Sequence, residues 1–225
     1  MSLPQPGSAA IADGFVLAGG SSSRMGQDKS LLSFNGAPLI QHAVGILRAA
    51  GLEPRIAGAR GELSSFAPVV GDEPDYPGLG PLSGICSALE TGSARYAVFL
   101  PVDLPLLPPA LVAYLLHHAE CTGSAIALAS IGGFVETFPV VIDRAAAPTL
   151  RASLRSENRK CLTAFQAAAA VLGRLFSAVP VELLLQAGQV YDPVGLPASV
   201  WFFSINTPGD LVRAEGLMAP RVQLS

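Results

Sequence analysis

The sequence predicts a three-layer α/β fold, a mostly parallel sheet with helices on both faces. Short apolar, β-prone runs alternate with segments that are apolar at helical spacing, the order of parallel strands joined by crossover helices. Half of the 225 residues are apolar and only 14% are charged, a balance that suits strands covered on both faces. The segments richest in glycine and proline follow strands, where open α/β sheets keep their ligands.

Met1 to Ala12 has no basic region followed by an apolar stretch. It reads as a flexible tail, residues 1–12, ahead of one domain over 13–225. Phe15–Ala18 is a short β-prone run that empties directly into glycines and serines. Pro38 suits a first helical position, and Leu39, Ile40, Ala43, Val44, Ile46 and Leu47 follow at helical spacing until Gly51 closes the helix. Pro54–Ala57 and Pro68–Val70 are short strands, and residues 71–80 form a loop rich in Gly, Pro and Asp. Leu82–Leu89 is helical, Tyr96–Leu100 is a buried strand, Pro101 to Pro109 is a rigid loop, and Ala110–Ala119 is a helix. This alternation makes the sheet Rossmann-like.

In the second half, Ala125–Ala129 and Phe138–Ile142 read as an antiparallel pair across a Gly132–Gly133 turn. Asn158–Leu172 is expected to be helical and Ser199–Phe203 a late strand. Thr207–Leu217 closes the chain as a helix, with Thr207 as its cap and Pro208 in its first turn.

Composition excludes several classes. A net charge of −3 lacks the broad basic footprint of a nucleic-acid binder, so any anion must be captured locally. Cys86, Cys121 and Cys161 stand far apart without a CxxC, and read as reduced thiols of a cytoplasmic protein rather than zinc ligands. No stretch reaches the roughly 18 apolar residues of a membrane span.

The most informative stretch is Leu17-Ala18-Gly19-Gly20-Ser21-Ser22-Ser23-Arg24-Met25-Gly26-Gln27-Asp28-Lys29. Gly19 and Gly20 let backbone approach a ligand with no Cβ in the way, and successive N–H groups there form an anion-binding nest. Arg24 offers a planar fork for phosphate oxygens and Lys29 a mobile point charge. The spacing fits neither a Walker loop nor GxGxxG. Asp103, in Pro101-Val102-Asp103-Leu104-Pro105, lies just past a strand end, where a carboxylate is placed to hold Mg²⁺ together with substrate phosphates.

LAGGSSSRMGQDKSLL resembles the signature of the molybdenum cofactor guanylyltransferases, whose pattern Leu-Ala-Gly-Gly-x-Ser-x-Arg-Met-Gly-x-Asp-Lys it matches at every fixed position. The resemblance implies a nucleotidyltransferase with the fold of the nucleotide-diphospho-sugar transferases. The reaction implied is transfer of GMP from GTP to the molybdopterin cofactor, with magnesium as cofactor. It also implies a cytoplasmic setting, and molybdenum-insertion or molybdoenzyme-chaperone proteins as partners, with no nucleic acid or membrane.

In these terms Leu17, Ala18, Gly19, Gly20 and Lys29 bind the nucleotide, Arg24, Lys29 and Asp103 are catalytic, and Asp103 is the metal ligand. Residues 71–84, Gly71 to Gly84, resemble the second signature, an Asp before Pro-Gly and then Gly-Pro-Leu-x-Gly, with Asp72 at the nucleotide-contacting position. A third match, Phe203-Ser204-Ile205-Asn206-Thr207-Pro208-Gly209-Asp210-Leu211, is similar to the family's Asn-x-Asn-Thr-Pro ending in Asp-Leu. It places Asn206 on the acceptor side, but Ser204 replaces the first Asn, which puts acceptor contacts in question. A second departure, Ala57-Gly58-Ala59-Arg60 where the family often carries Asn, bears on guanine selectivity.

Other readings stay open. A cytidylyltransferase for the same cofactor tends to read Leu-Ala-Ala-Gly, and Gly19 leans against it. A sugar-phosphate nucleotidyltransferase would differ in its acceptor, and a nucleotide-binding regulator would not turn over. His42, His117 and His118 lie on predicted helices without partners at metal spacing and read as ordinary surface or half-buried histidines. Arg151, Arg155, Arg159 and Lys160 read as a solvated helix face that could also suit a phosphorylated pterin.

Overall fold

In the computed structural model the first strand, β1, is Ala12–Leu17. The structure describes residues 12–18, 28–58, 61–71, 80–156 and 160–218. After β1 come the two-residue strands β2 (Ser33–Phe34) and β3 (Ala37–Pro38), which pair as a small hairpin, then helix α1 (Leu39–Ala49). The positive φ of Asn35 (46°) and Gly36 (80°) forms the hairpin turn. His42 points its Nε2 at the Phe34 carbonyl oxygen, 2.8 Å away, so it ties α1 to this hairpin.

Strands β4 (Pro54–Ala57) and β5 (Val69–Val70), helix α2 (Pro81–Thr91), strand β6 (Tyr96–Pro101) and helix α3 (Pro109–Thr122) follow. The second half supplies β7 (Ile126–Ile131), β8 (Phe134–Asp143), α4 (Ala147–Arg155), α5 (Cys161–Leu172), β9 (Phe176–Pro180), α6 (Val181–Gln186) and α7 (Pro208–Met218). The large sheet runs β5-β4-β1-β6-β8-β7-β9. Every neighbouring pair is parallel except those of β8, which is antiparallel to both β6 and β7.

Alternation along the strands explains the layers. In β6, Tyr96, Val98 and Leu100 face the core lined by α1, α3 and α7, whereas Ala97 and Phe99 face that of α2, α4 and α5. Neither face meets water, which is why these strands read as apolar runs rather than as alternating patterns. Phe15 and Phe99 lie directly opposite in register and stack at 5.3 Å, worth about 0.5–1.5 kcal/mol beyond their buried area.

The strand pairing β7–β8 across Gly132–Gly133 is as expected. Ser199–Phe203 is not a strand: Ala198–Val200 is a single 3₁₀ turn and the chain then runs as a loop. The β-prone run is anchored by Trp201, which is buried and donates its Nε1–H to the Leu196 carbonyl. No place beside β6 remains, since β1 and β8 flank it. The outer strand is instead β9, a segment not expected to be extended.

Among the described residues no helix is long and apolar enough to cross a membrane.

Candidate active site

The chain leaves β1 for β4 and β5 on one side and returns to β6 on the other, so the order reverses between β1 and β6. In open α/β sheets that point, beyond the carboxyl ends of the strands, is where ligands bind. Here the ends coincide, because Leu17 is level with both Ala57 of β4 and Pro101 of β6. Backbone bonds continue past the ladder, from Ala18 N to Ala57 O (3.0 Å) and from Val102 N to Leu17 O (3.1 Å). They hold the exits of three strands in one cluster. The first turns of α2 close against it: a Cβ on Gly84 would lie 3.6 Å from Leu17 Cδ2 and 3.7 Å from Gly58 N. Gly80, just ahead of α2, has φ 85° and ψ −169°, a region only glycine occupies readily.

Asp103 lies two residues beyond β6, and Lys29 reaches the same space from the segment that begins at Asp28. Asp28 fixes the local turn: its side chain accepts from Ser30 N at 2.9 Å and caps a 3₁₀ turn over Lys29–Leu31. That leaves the lysine side chain free to cross to Asp103, where Nζ sits 2.7 Å from Oδ2, with both side chains largely shielded. The same Nζ donates to Asn206 Oδ1 at 2.7 Å. Ser204 Oγ donates to Asp103 Oδ2 at 2.7 Å and accepts from Asn206 Nδ2 at 2.9 Å. Four side chains, Lys29, Asp103, Ser204 and Asn206, thus close a hydrogen-bonded ring.

The segment carrying Ser204 and Asn206 is held by its backbone. Ile205 N donates to Asp103 O at 3.0 Å, so it tracks the turn that bears the carboxylate. Thr207 and Asp210 then form a reciprocal cap at the start of α7. Asp210 N donates to Thr207 Oγ1 (3.1 Å), while Asp210 Oδ2 accepts from Thr207 N (2.8 Å) and Asn206 N (3.0 Å). These contacts, the Asn206 amide first, hold the Asp210 carboxyl below its ordinary value.

Of the residues singled out in the sequence, Leu17, Ala18, Lys29, Asp103 and Asn206 therefore come to one end of the sheet. Gly19, Gly20, Arg24 and Asp72 lie outside the described residues. Three contributors had no assigned role there: Ser204, flagged only as a departure from the family pattern, Asp28 as a turn cap, and Asp210 as the partner of Thr207. The Thr-x-x-Asp spacing before an apolar run was a readable signal for the last. Ser204 had none, since its partner is 101 residues away.

The MobA-like NTP transferase domain model matches residues 14–171. The chain is 45% identical over 109 residues to the molybdenum cofactor guanylyltransferase of Xanthomonas euvesicatoria pv. vesicatoria (strain 85-10), covering 48% of this chain and 54% of that one. With the probable molybdenum cofactor guanylyltransferase of Pelotomaculum thermopropionicum (strain DSM 13744 / JCM 10971 / SI) it shares 31% over 206 residues, 91% of this chain and 92% of its relative. Its fold is similar to that of molybdopterin-guanine dinucleotide biosynthesis protein A from Archaeoglobus fulgidus, with TM-score 0.72 and 23% identity over 91% of this chain and 97% of the other. A Mycobacterium tuberculosis protein solved in complex with manganese has the same fold at TM-score 0.60 and 17% identity, over 92% and 99% of the two chains.

Proposed function

This chain belongs to the molybdenum cofactor guanylyltransferase family of MobA-like NTP transferases and is a nucleotidyltransferase; from that premise we propose that it moves GMP from GTP to the phosphate of molybdenum-bound molybdopterin, releasing pyrophosphate. The observation that carries this reading is the Lys29–Asp103 pair, set where the strand order reverses.

The residues fit magnesium. The Asp103 carboxylate is a hard oxygen donor, and its Oδ1 has no partner among the described residues. Bound to Asp103, the ion would neutralise charge on the phosphate oxygens. In the reaction an oxygen of the acceptor phosphate forms a bond to the α-phosphorus of GTP. The bond from that phosphorus to the α–β bridging oxygen breaks, and its electron pair leaves with pyrophosphate. The acceptor oxygen is already anionic, so no protein nucleophile is required. Lys29 offers its ammonium to the triphosphate, and Gly19, Gly20 and Arg24 are assigned to cradle it, so the protein acts by positioning and charge stabilisation. Asp72 is assigned to the nucleoside.

The test is thermal melting with GTP, CTP, ATP or UTP, each with and without Mg²⁺, followed by pyrophosphate release with the pterin acceptor. Ligand at about 100 times its Kd adds roughly 2.7 kcal/mol, a rise of several degrees for a chain of this size. A magnesium-dependent rise led by GTP, with pyrophosphate released only when acceptor is present, is expected. A rise led by CTP transfers the proposal to cytidylyl transfer, and no rise with any nucleotide overturns it.

A further inference from the structure

Ser204 stands where the resembling family has Asn, and its hydroxyl lies on the carboxylate assigned to the metal. We propose that Ser204 is a positioning residue that keeps Asp103 aimed at the metal once Lys29 has left it for the triphosphate. This rests on the nucleotidyl-transfer reading above.

The ring of four side chains has one consistent direction. An ammonium can only donate, so Asn206 presents its oxygen to Lys29 and its NH₂ to Ser204. Ser204 Oγ accepts that bond, and its single proton goes to Asp103 Oδ2. Asp103 Oδ2 therefore has two donors of different character. Lys29 ends a flexible four-carbon stem and is the group that must turn towards phosphate. The Ser204 hydroxyl is one bond from Cβ, on a backbone tied by Ile205 N to the Asp103 carbonyl and by the Asp210 cap to Asn206 N. When the lysine moves, Ser204 alone among the described residues still restrains Oδ2, which would leave Oδ1 available to hold the metal. The short hydroxyl is thus spent on Asp103 rather than on the acceptor, which accounts for the departure from the family pattern without invoking the cofactor.

Groups that hydrogen-bond metal ligands typically change metal affinity by about ten- to a hundredfold when removed. The experiment compares wild type, Ser204→Ala and Ser204→Thr by electron paramagnetic resonance of Mn²⁺. The protein is saturated with a GTP analogue carrying a methylene bridge between the α- and β-phosphates, and binding of the analogue without metal is measured beside it. Ser204→Ala is expected to weaken Mn²⁺ at least about tenfold while leaving metal-free analogue binding and the far-ultraviolet circular dichroism spectrum unchanged, and Ser204→Thr to restore it. Unchanged Mn²⁺ affinity in Ser204→Ala, or equal loss in Ser204→Thr, overturns the inference alone. A wild type that takes up no Mn²⁺ with the analogue bound overturns the nucleotidyl-transfer reading as well.

Discussion

Replacing Asp103 by alanine removes the acceptor that Lys29 and Ser204 share and leaves the lysine with only Asn206 as a partner among the described residues. The strand bonds of β6 do not involve this side chain, so the fold is expected to persist. Loss of a group that stabilises developing charge costs a hundredfold or more in rate, about 3 kcal/mol. Pyrophosphate release by Asp103→Ala should fall by at least that factor at an unchanged far-ultraviolet circular dichroism spectrum; turnover within threefold of wild type would remove Asp103 from the mechanism. At this scale the sequence was informative where a role depends on near neighbours. Lys29 and Asp103 each sit in a legible local context, a glycine-rich loop and a strand exit. The contact of Ser204 with Asp103 was not legible, because it depends on how a loop near the end of the chain settles against a turn near its middle.

Helix α7 positions part of the site through its cap. Thr207→Ala removes the acceptor for Asp210 N and should cost about 1 kcal/mol, or about 2–4 °C in melting temperature. The reciprocal half of the cap depends on pH. Asp210 is held below its ordinary value, so the unfolded chain binds a proton more readily than the folded one. Its contribution is complete above the unfolded carboxyl value, near pH 4, and is lost as pH falls through the lowered folded value. The melting-temperature gap between wild type and Asp210→Ala should therefore shrink between pH 5 and pH 3; a constant gap would show that the charge on Asp210 is not what the cap uses. The capping residue Thr207 was legible because capping is local in sequence. The exchange of strands was not: Ser199–Phe203 has strong β propensity but is held as a turn and loop by the buried Trp201, while Phe176–Pro180 gains strand structure by pairing with β7.

Across the whole molecule, the thiols report on cooperative opening. Cys86 and Cys161 are buried and Cys121 is exposed. Cys161 begins α5, a place that ordinarily favours a thiolate, yet burial pushes its pKa up to about 11. A chromogenic disulfide at neutral pH should label one thiol quickly in the native protein and all three in denaturant, with the slow pair tracking unfolding. Two fast thiols would mean that the α5 side of the sheet opens independently. The parallel half, β5, β4, β1 and β6, was readable from alternation, whereas the β2–β3 hairpin was not. The insertion of β8 between β6 and β7 was not, since a hairpin signal gives the pairing within the hairpin but not which earlier strand it joins.

The ring around Asp103 has a consequence for how the protein is made. The last strand of the sheet ends at Pro180, and Lys29 and Asp103 have both been synthesised well before that. Ser204 and Asn206 follow only afterwards, and Asn206 is 177 residues from the lysine it binds. A nascent chain can therefore hold every strand of its sheet while the ring is still open. Nucleotide offered at that stage would meet a lysine and a carboxylate paired only with each other. Under the proposed reaction, competence on the ribosome waits for the segment that carries Ser204 and Asn206, and a product terminated ahead of it would display the sheet around an unfinished centre.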